Sequence, residues 1–350
     1  MPKFSIYFAY PGELDTPTGG YRYDRRLIAE LRQLGAKVTT ISLPDCLPVP
    51  DQQALKTIEQ TMAALPDQAV VVIDGLAFGV LDDLAAKEAH RLKLVALCHH
   101  PLALEAGINE SLKRSLMESE RRALSWTRAT IVTSEHTKDI LIDQFAAPSE
   151  KIVAAAPGTD PASLAPGNGD PVRLLTVASL TPRKAHDALI DSLAELAELP
   201  WQARFVGSGE LDPAWATNLQ ARVKDLGLSK RICFAGAVDD ATAEYQQADA
   251  FVLPSRYEGY GMAFAEAVAA GLPVIAARAG AVPEVVPETA GLLVPPDDGP
   301  ALTLALRQLI SNPSLRRQFQ RGARQAASNL PRWSDTAAIV AGKLMEVANA

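Results

Sequence analysis

Cysteine is scarce in this chain: three residues in 350, at Cys46, Cys98 and Cys233, with no paired spacing. That excludes a disulfide scaffold and a cysteine-built zinc site, and it suits a reducing compartment. No uninterrupted apolar run is long enough to span a bilayer. The first residues read as a strand and lack the apolar core and cleavage site of a signal peptide. Positive charge is not in excess. Thirty-four Lys and Arg against 41 Asp and Glu leave a net charge of −7, which argues against nucleic acid as the main partner. No G-x-G-x-x-G fingerprint is present, which disfavours a nicotinamide-dependent oxidoreductase. There is no Asp-x-Asp pair to hold a divalent ion, so no metal site and no cofactor are expected. What remains is a soluble, cytoplasmic protein, 48% hydrophobic and 21% charged, long enough for two domains that each bury a core.

The stretch that organises the chain is PSRYEGYGMAFAEAVAAGLPVIAARAGAVP, Pro254–Pro283. It opens as a loop with Gly259 and Gly261, continues as a buried helix over Met262–Ala270, and stops at Gly271-Leu272-Pro273. Val274–Ala277 follows as a short apolar strand. The amides of Gly259, Tyr260, Gly261 and Met262 sit where a helix N-terminus offers unpaired donors to an anion. Glu258 lies in the loop, and Glu266 lies inside an otherwise apolar helix, where a carboxylate needs a partner. An anion cradle beside carboxylates aimed at hydroxyls describes a nucleotide-diphosphate pocket.

These residues, in the pattern P-S-x-x-E-G-x-G-x-x-x-x-E-A, resemble the donor-site signature of family 4 glycosyltransferases, which are retaining GT-B enzymes. The adjoining GLPVIA and PEVV are similar to the same family. The resemblance implies two Rossmann-like α/β domains with a donor cleft between them. Donor contacts fall on Gly19, Gly20, Gly207, Gly259, Tyr260, Gly261, Met262 and Glu266, with catalytic roles for His99, Arg183, Lys184 and Glu258.

Each half repeats a strand–turn–helix pattern. In the first, Phe4–Ala9 is a strand, Pro11–Gly20 a loop, Tyr21–Leu34 a helix and Val38–Ile41 the next strand, a βαβ start that predicts a parallel sheet. Gly19-Gly20 lets a ligand approach the backbone closely. Arg22, Arg25 and Arg26 either meet an anionic acceptor or lie on a solvated helix face. Val70–Ile73 and Lys93–Leu97 are apolar strands, the second running into Cys98-His99-His100-Pro101. Adjacent histidines in extended chain point opposite ways, so one faces the ligand end; the family resemblance selects His99. Ser134 reads as an N-cap, and Pro157-Gly158-Thr159-Asp160 resembles the turn that closes the family's N-domain.

The run through Pro161, Pro166, Gly167, Gly169 and Pro171 is linker composition. It divides the chain into an acceptor-side domain at 1–165, a donor domain at 170–330 and a terminal helix at 331–350, which the resemblance sends back to the first domain. In the second half Arg173–Ala178 is a strand and SLTPRKAH the loop before a helix. The family carries Gly-Arg where this chain has Ala178-Ser179, and Lys-Gly where it has Lys184-Ala185. Lys184 matches; Ser179 does not. Arg183 either supplies the missing guanidinium or points to solvent. A guanidinium and an ammonium together suit a diphosphate leaving group. Gly280-Ala281 stands where the family has two glycines.

The resemblance implies transfer of a sugar from a nucleoside-diphosphate sugar to an acceptor hydroxyl, retaining and metal-independent. The partners are a nucleotide-sugar donor and a hydroxyl acceptor, with peripheral membrane contact left open. Ser179 keeps an alternative in view, a non-catalytic nucleotide-sugar-binding protein with a degenerate phosphate grip.

Overall fold

The computed structural model describes residues 4–105 and 107–350. It falls into two compact units, one containing the chain up to Gly158 together with Pro331–Ala350, the other Thr159–Leu330. Each is built on a six-stranded sheet in which every pairing is parallel.

The first sheet has β1 (Ser5–Pro11), β2 (Lys37–Leu43), β3 (Val70–Asp74), β4 (Lys93–Cys98), β5 (Ala129–Val132) and β6 (Ile152–Ala154), in the order β2-β1-β3-β4-β5-β6. β3 and β5 are buried throughout because helices cover both faces of a parallel sheet, which is why they read as continuous apolar runs rather than alternating ones. The helix after β1 spans Gly19–Gln33, not Tyr21–Leu34, because the Thr18 hydroxyl accepts from the Tyr21 amide and starts the first turn two residues earlier. Gly19 and Gly20 are therefore the first helical residues rather than the end of a loop. Arg25 donates to the backbone carbonyls of Leu14 and Thr16, and the Arg26 guanidinium lies 5.1 Å over the Trp333 ring. Those two arginines serve their own unit; neither is a merely solvated position. Trp333 begins the last helix, Trp333–Asn349, and is buried edge-on against Tyr23.

The second sheet has β7 (Val172–Val177), β8 (Trp201–Val206), β9 (Ile232–Gly236), β10 (Ala250–Leu253), β11 (Val274–Ala277) and β12 (Gly291–Val294), in the order β12-β11-β10-β7-β8-β9. In each sheet the order reverses once, beside β1 and β3 in the first and beside β7 and β10 in the second. Open parallel sheets bind ligands outside the carboxyl ends of the strands that flank such a reversal. Asp249 ties the linker to the second unit: its carboxylate accepts from the Gly169 and Arg173 amides and from the Arg173 guanidinium. Among the described residues no helix is long and apolar enough to cross a membrane.

His186 opens the helix His186–Ala194 and is fully buried, its ring edge-on to Phe205 with centroids 5.3 Å apart. Neither ring nitrogen has a hydrogen-bond partner among the described residues. Burial, reinforced by the Lys184 charge and opposed by Asp187, pushes its pKa down to about 3. The fold thus holds the imidazole neutral. Its contribution to stability is complete above the unfolded value of about 6.5 and is lost at roughly 1.4 kcal/mol per pH unit as pH falls toward the folded value. Thermal or urea unfolding should therefore show wild type losing about 3 kcal/mol more than His186→Leu between about pH 6.5 and pH 4. Parallel acid limbs for the two proteins would refute this.

Candidate functional site

The two loops that leave β7 and β10 meet at the reversal point of the second sheet. The first runs from Ala178 through a 3₁₀ turn at Pro182–Lys184, and the second is Pro254–Gly261. Arg256 fastens one to the other. Its amide donates to the Arg183 carbonyl at 2.8 Å, and its guanidinium reaches the Pro182 carbonyl, Asp187 at 3.1 Å and Asp297 at 2.8 Å. Held in this way, the loops bring Lys184, Arg183 and Glu258 together. Lys184 Nζ donates to Glu258 Oε1 at 2.7 Å, and Arg183 Nη1 stands 3.7 Å from Oε2 while donating to the Tyr257 carbonyl at 3.1 Å.

Arg183 thus points to the carboxylate rather than outward, whereas Ser179 lies two residues past the end of β7, its amide nitrogen beside the Gly207 backbone. Burial of Glu258 would raise its pKa, but the charges of Lys184 and Arg183 outweigh that and hold it below the ordinary carboxylate range. The result is two cations and one anion, all half-buried or buried, with a net positive charge.

Three glycines give these loops their closeness. A Cβ on Gly207 would lie 1.9 Å from the Ala178 carbonyl oxygen, so the backbones of β8 and β7 approach there as only glycine allows. Gly280 has φ +59°, and a Cβ on it would lie 2.0 Å from the Glu258 carbonyl oxygen, to which the Ala281 amide donates at 2.9 Å. Of the Gly280-Ala281 pair, then, only the first position requires glycine. Gly261, at φ +95°, turns the loop into the helix Met262–Ala269, and no side chain caps that helix. Ala185 is a true departure: it adopts φ +52°, ψ +37°, a left-handed conformation that places about 1–2 kcal/mol of strain beside the grip.

Glu266 is separate from Glu258. The Tyr245 hydroxyl donates to Glu266 Oε2 at 2.9 Å and lies 3.2 Å from the Ala263 carbonyl. Tyr245 is the partner that a carboxylate on an apolar helix requires, and no sequence pattern marked it. Tyr260 is buried, and burial with the nearby Glu284 charge raises its phenol to about 12, so it is a neutral hydroxyl.

The first unit gathers a second cluster at its own reversal point. His99 follows β4, and its Nε2 lies 2.9 Å from Asp24 Oδ1 and 3.3 Å from Asp74 Oδ2. A Cβ on Gly20 would be 3.3 Å from His99 Cδ2, so this glycine gives the imidazole room; Gly19 is exposed, with nothing near its Cβ position. His100 instead faces Glu105 at 3.7 Å. The three ligand-type atoms of Asp24, Asp74 and His99 lie within 4.8 Å of one another, the one such group among the described residues. Sequence reasoning placed His99 and Gly20 here. It singled out neither Asp24, which sits among the charged residues of an amphipathic helix, nor Asp74 at the end of β3.

The chain matches two family models, "Glycosyl transferases group 1" over residues 165–326 and "Glycosyltransferase Family 4" over residues 67–163. It is 31% identical over 211 residues to the GDP-mannose-dependent alpha-(1-6)-phosphatidylinositol monomannoside mannosyltransferase of Mycolicibacterium smegmatis, covering 53% of this chain and 54% of that protein. It is 29% identical over 264 residues to the MMP alpha-(1->4)-mannosyltransferase of Mycolicibacterium hassiacum, covering 70% and 63%. The chain therefore spans little more than half to under two thirds of these relatives' length. Its fold matches that of the sucrose-phosphate synthase of Thermosynechococcus elongatus with a TM-score of 0.81, at 21% identity over 98% of this chain and 99% of that one.

Removing Lys184 leaves Glu258 buried with the more distant Arg183 as its nearby cation. Lys184→Met should destabilise the fold by about 3 kcal/mol at pH 7, the scale for breaking a buried ion pair from one side. Glu258's folded pKa is depressed, so the stability it contributes is present above about 4.5 and lost as pH falls further. The Lys184→Met penalty should accordingly shrink toward pH 4, as denaturant unfolding at both pH values would show. An equal penalty at the two would contradict the ion pair.

Proposed function

The chain belongs to the group 1 (family 4) glycosyltransferases, and on that premise we propose that it moves a sugar from a nucleoside-diphosphate sugar to an acceptor hydroxyl. The observation that carries this reading is the cluster of Lys184, Arg183 and Glu258 at the reversal point of the second sheet, beside the uncapped helix Met262–Ala269. In this reading Lys184, Arg183 and the amides of Gly259–Met262 neutralise charge that develops on the departing diphosphate, where most of the barrier reduction arises. Glu266, which accepts from the Tyr245 hydroxyl, is assigned to two ribose hydroxyls, since one carboxylate can accept two hydrogen bonds side by side. Glu258 orders sugar hydroxyls.

We take the transfer to be retaining, with the leaving phosphate accepting the acceptor's proton on the same face. No protein nucleophile is assigned a role. The basic side chains take the place of a divalent ion, and no cofactor is needed. Both relatives named above are mannosyltransferases, and one is GDP-mannose-dependent by name, so GDP-mannose is the first donor to test, followed by UDP- and ADP-sugars. An acceptor with an exposed sugar or cyclitol hydroxyl is the matching choice.

A thermal-shift screen of these donors should give one that stabilises the fold by roughly 2.7 kcal/mol at a hundred times its dissociation constant. Glu266→Ala should abolish that shift. The same donor should then support sugar transfer or slow donor hydrolysis, and EDTA should leave the rate unchanged. A shift without turnover at any acceptor would favour the binding-only reading that Ser179 keeps open. Activity abolished by EDTA and restored by a divalent ion would overturn the metal-free mechanism.

A further inference from the structure

We propose that Asp24 and Asp74 are positioning residues that hold His99 as a fixed imidazolium, so that its Nδ1 is a permanent hydrogen-bond donor to a substrate oxygen. The inference rests on the transferase reading for the substrate, and on the geometry alone for the state of His99.

Both carboxylates converge on one ring nitrogen. Asp24 Oδ1 is 2.9 Å and Asp74 Oδ2 is 3.3 Å from Nε2, and both acids are essentially buried, at 0% and 2% exposure. Neither can drift. Asp24 is set in the helix Gly19–Gln33, and Asp74 caps the next short helix by accepting from the Leu76 amide at 2.8 Å through its other oxygen. Asp24 Oδ2 has no hydrogen-bond partner among the described residues. Its carboxylate is therefore satisfied chiefly by the imidazole, and a neutral ring would leave it poorly compensated.

The ring is walled on its remaining sides. Gly20 lies beside Cδ2, and Tyr23 packs edge-on with centroids 5.1 Å apart. The side chain keeps 20% exposure. With Nε2–H committed to the acids, any bond to a ligand falls to Nδ1. Charge then decides the direction of that bond: Nδ1 donates in the imidazolium and accepts in the neutral ring.

The ionisable groups around His99 come from four elements, the last being the helix Glu110–Ser125 that carries Glu120. Asp24, Tyr21 and Tyr23 lie on the helix Gly19–Gln33, Asp74 ends β3, and Cys98, beneath which Glu120 is buried, ends β4. Burial alone would lower the His99 pKa, but the Asp24 and Asp74 carboxylates together raise it well above the ordinary value. Both tyrosines are pushed upward by burial and stay neutral, so the two aspartates are the determinants.

The test is a histidine-labelled NMR titration of the whole protein, which has five histidines, with His99 assigned by its disappearance in His99→Gln. Burial raises the Asp24 carboxyl to about 6 against the lowering pull of His99, so the window lies above that value. In wild type the His99 ring nitrogens should keep imidazolium shifts between about pH 7 and 8, whereas in Asp74→Asn or Asp24→Asn they should titrate closer to the ordinary value of about 6.5. The kcat/KM of each Asn variant should fall about tenfold per pH unit above its new pKa, while wild type shows no such limb. A wild-type His99 ring that loses its proton near about 6.5 would overturn the proposal, without either Asn variant having to fold. So would Asn variants whose rates keep the wild-type pH profile, because a merely structural pair of acids would leave that profile unmoved. The titration is read without donor or acceptor, so its outcome is independent of whether the transferase reading holds.

Discussion

One buried carboxylate fixes the shape of the second unit's ligand end. Glu258 is 5% exposed and must be compensated where it lies, and Lys184 at 2.7 Å with Arg183 at 3.7 Å supplies the compensation. Those two cations belong to a different loop, so satisfying Glu258 draws the β7 and β10 loops together. Arg256 locks the same pair of loops from behind, and Gly280 keeps the backbone under Glu258 free of any side chain. A net positive charge is thus assembled in the structure without any ligand, which is the condition for electrostatic stabilisation without reorganisation.

Topology explains why both units carry charge in comparable places. In each sheet the strand order reverses once, and the loops that diverge from the reversal leave a crevice open above the strand ends. The second unit fills its crevice with two cations around an acid, and the first fills its own with two acids around an imidazole. Each arrangement buries charge that would be left uncompensated if any member were lost.

Much of this was legible in the sequence. Apolar runs such as Val70–Ile73 and Val274–Ala277 had to be strands of a doubly covered parallel sheet, and each lies within a residue or two of its observed strand. Gly207, Gly261 and Gly280 were singled out by the resemblance, and only the fold shows that a side chain at 207 or 280 would strike a neighbouring carbonyl. What stayed hidden was pairing across the chain. Tyr245, 21 residues before Glu266, carries no local pattern, and neither does Arg256 as a staple. Asp24 looks like any acid on an amphipathic helix until the fold places it on His99, 75 residues away. Helices such as Gln52–Ala63 and Pro213–Asp225 were not read either, because their buried positions are few and their faces mostly polar. Ala185 ran against expectation: local preference disfavours a left-handed alanine, and the surrounding loop imposes it.

The central claim is that the Lys184 and Arg183 cluster exists to grip a diphosphate. Calorimetric titration of nucleoside diphosphates against the matching monophosphates tests it most directly, on wild type and on Lys184→Met. The account predicts that one diphosphate binds at least about tenfold more tightly than its monophosphate, a difference of roughly 1.4 kcal/mol, and that Lys184→Met erases the difference. Equal affinities for the two in wild type, or a preference that survives the loss of Lys184, would show that the buried cluster holds the loops together and nothing more.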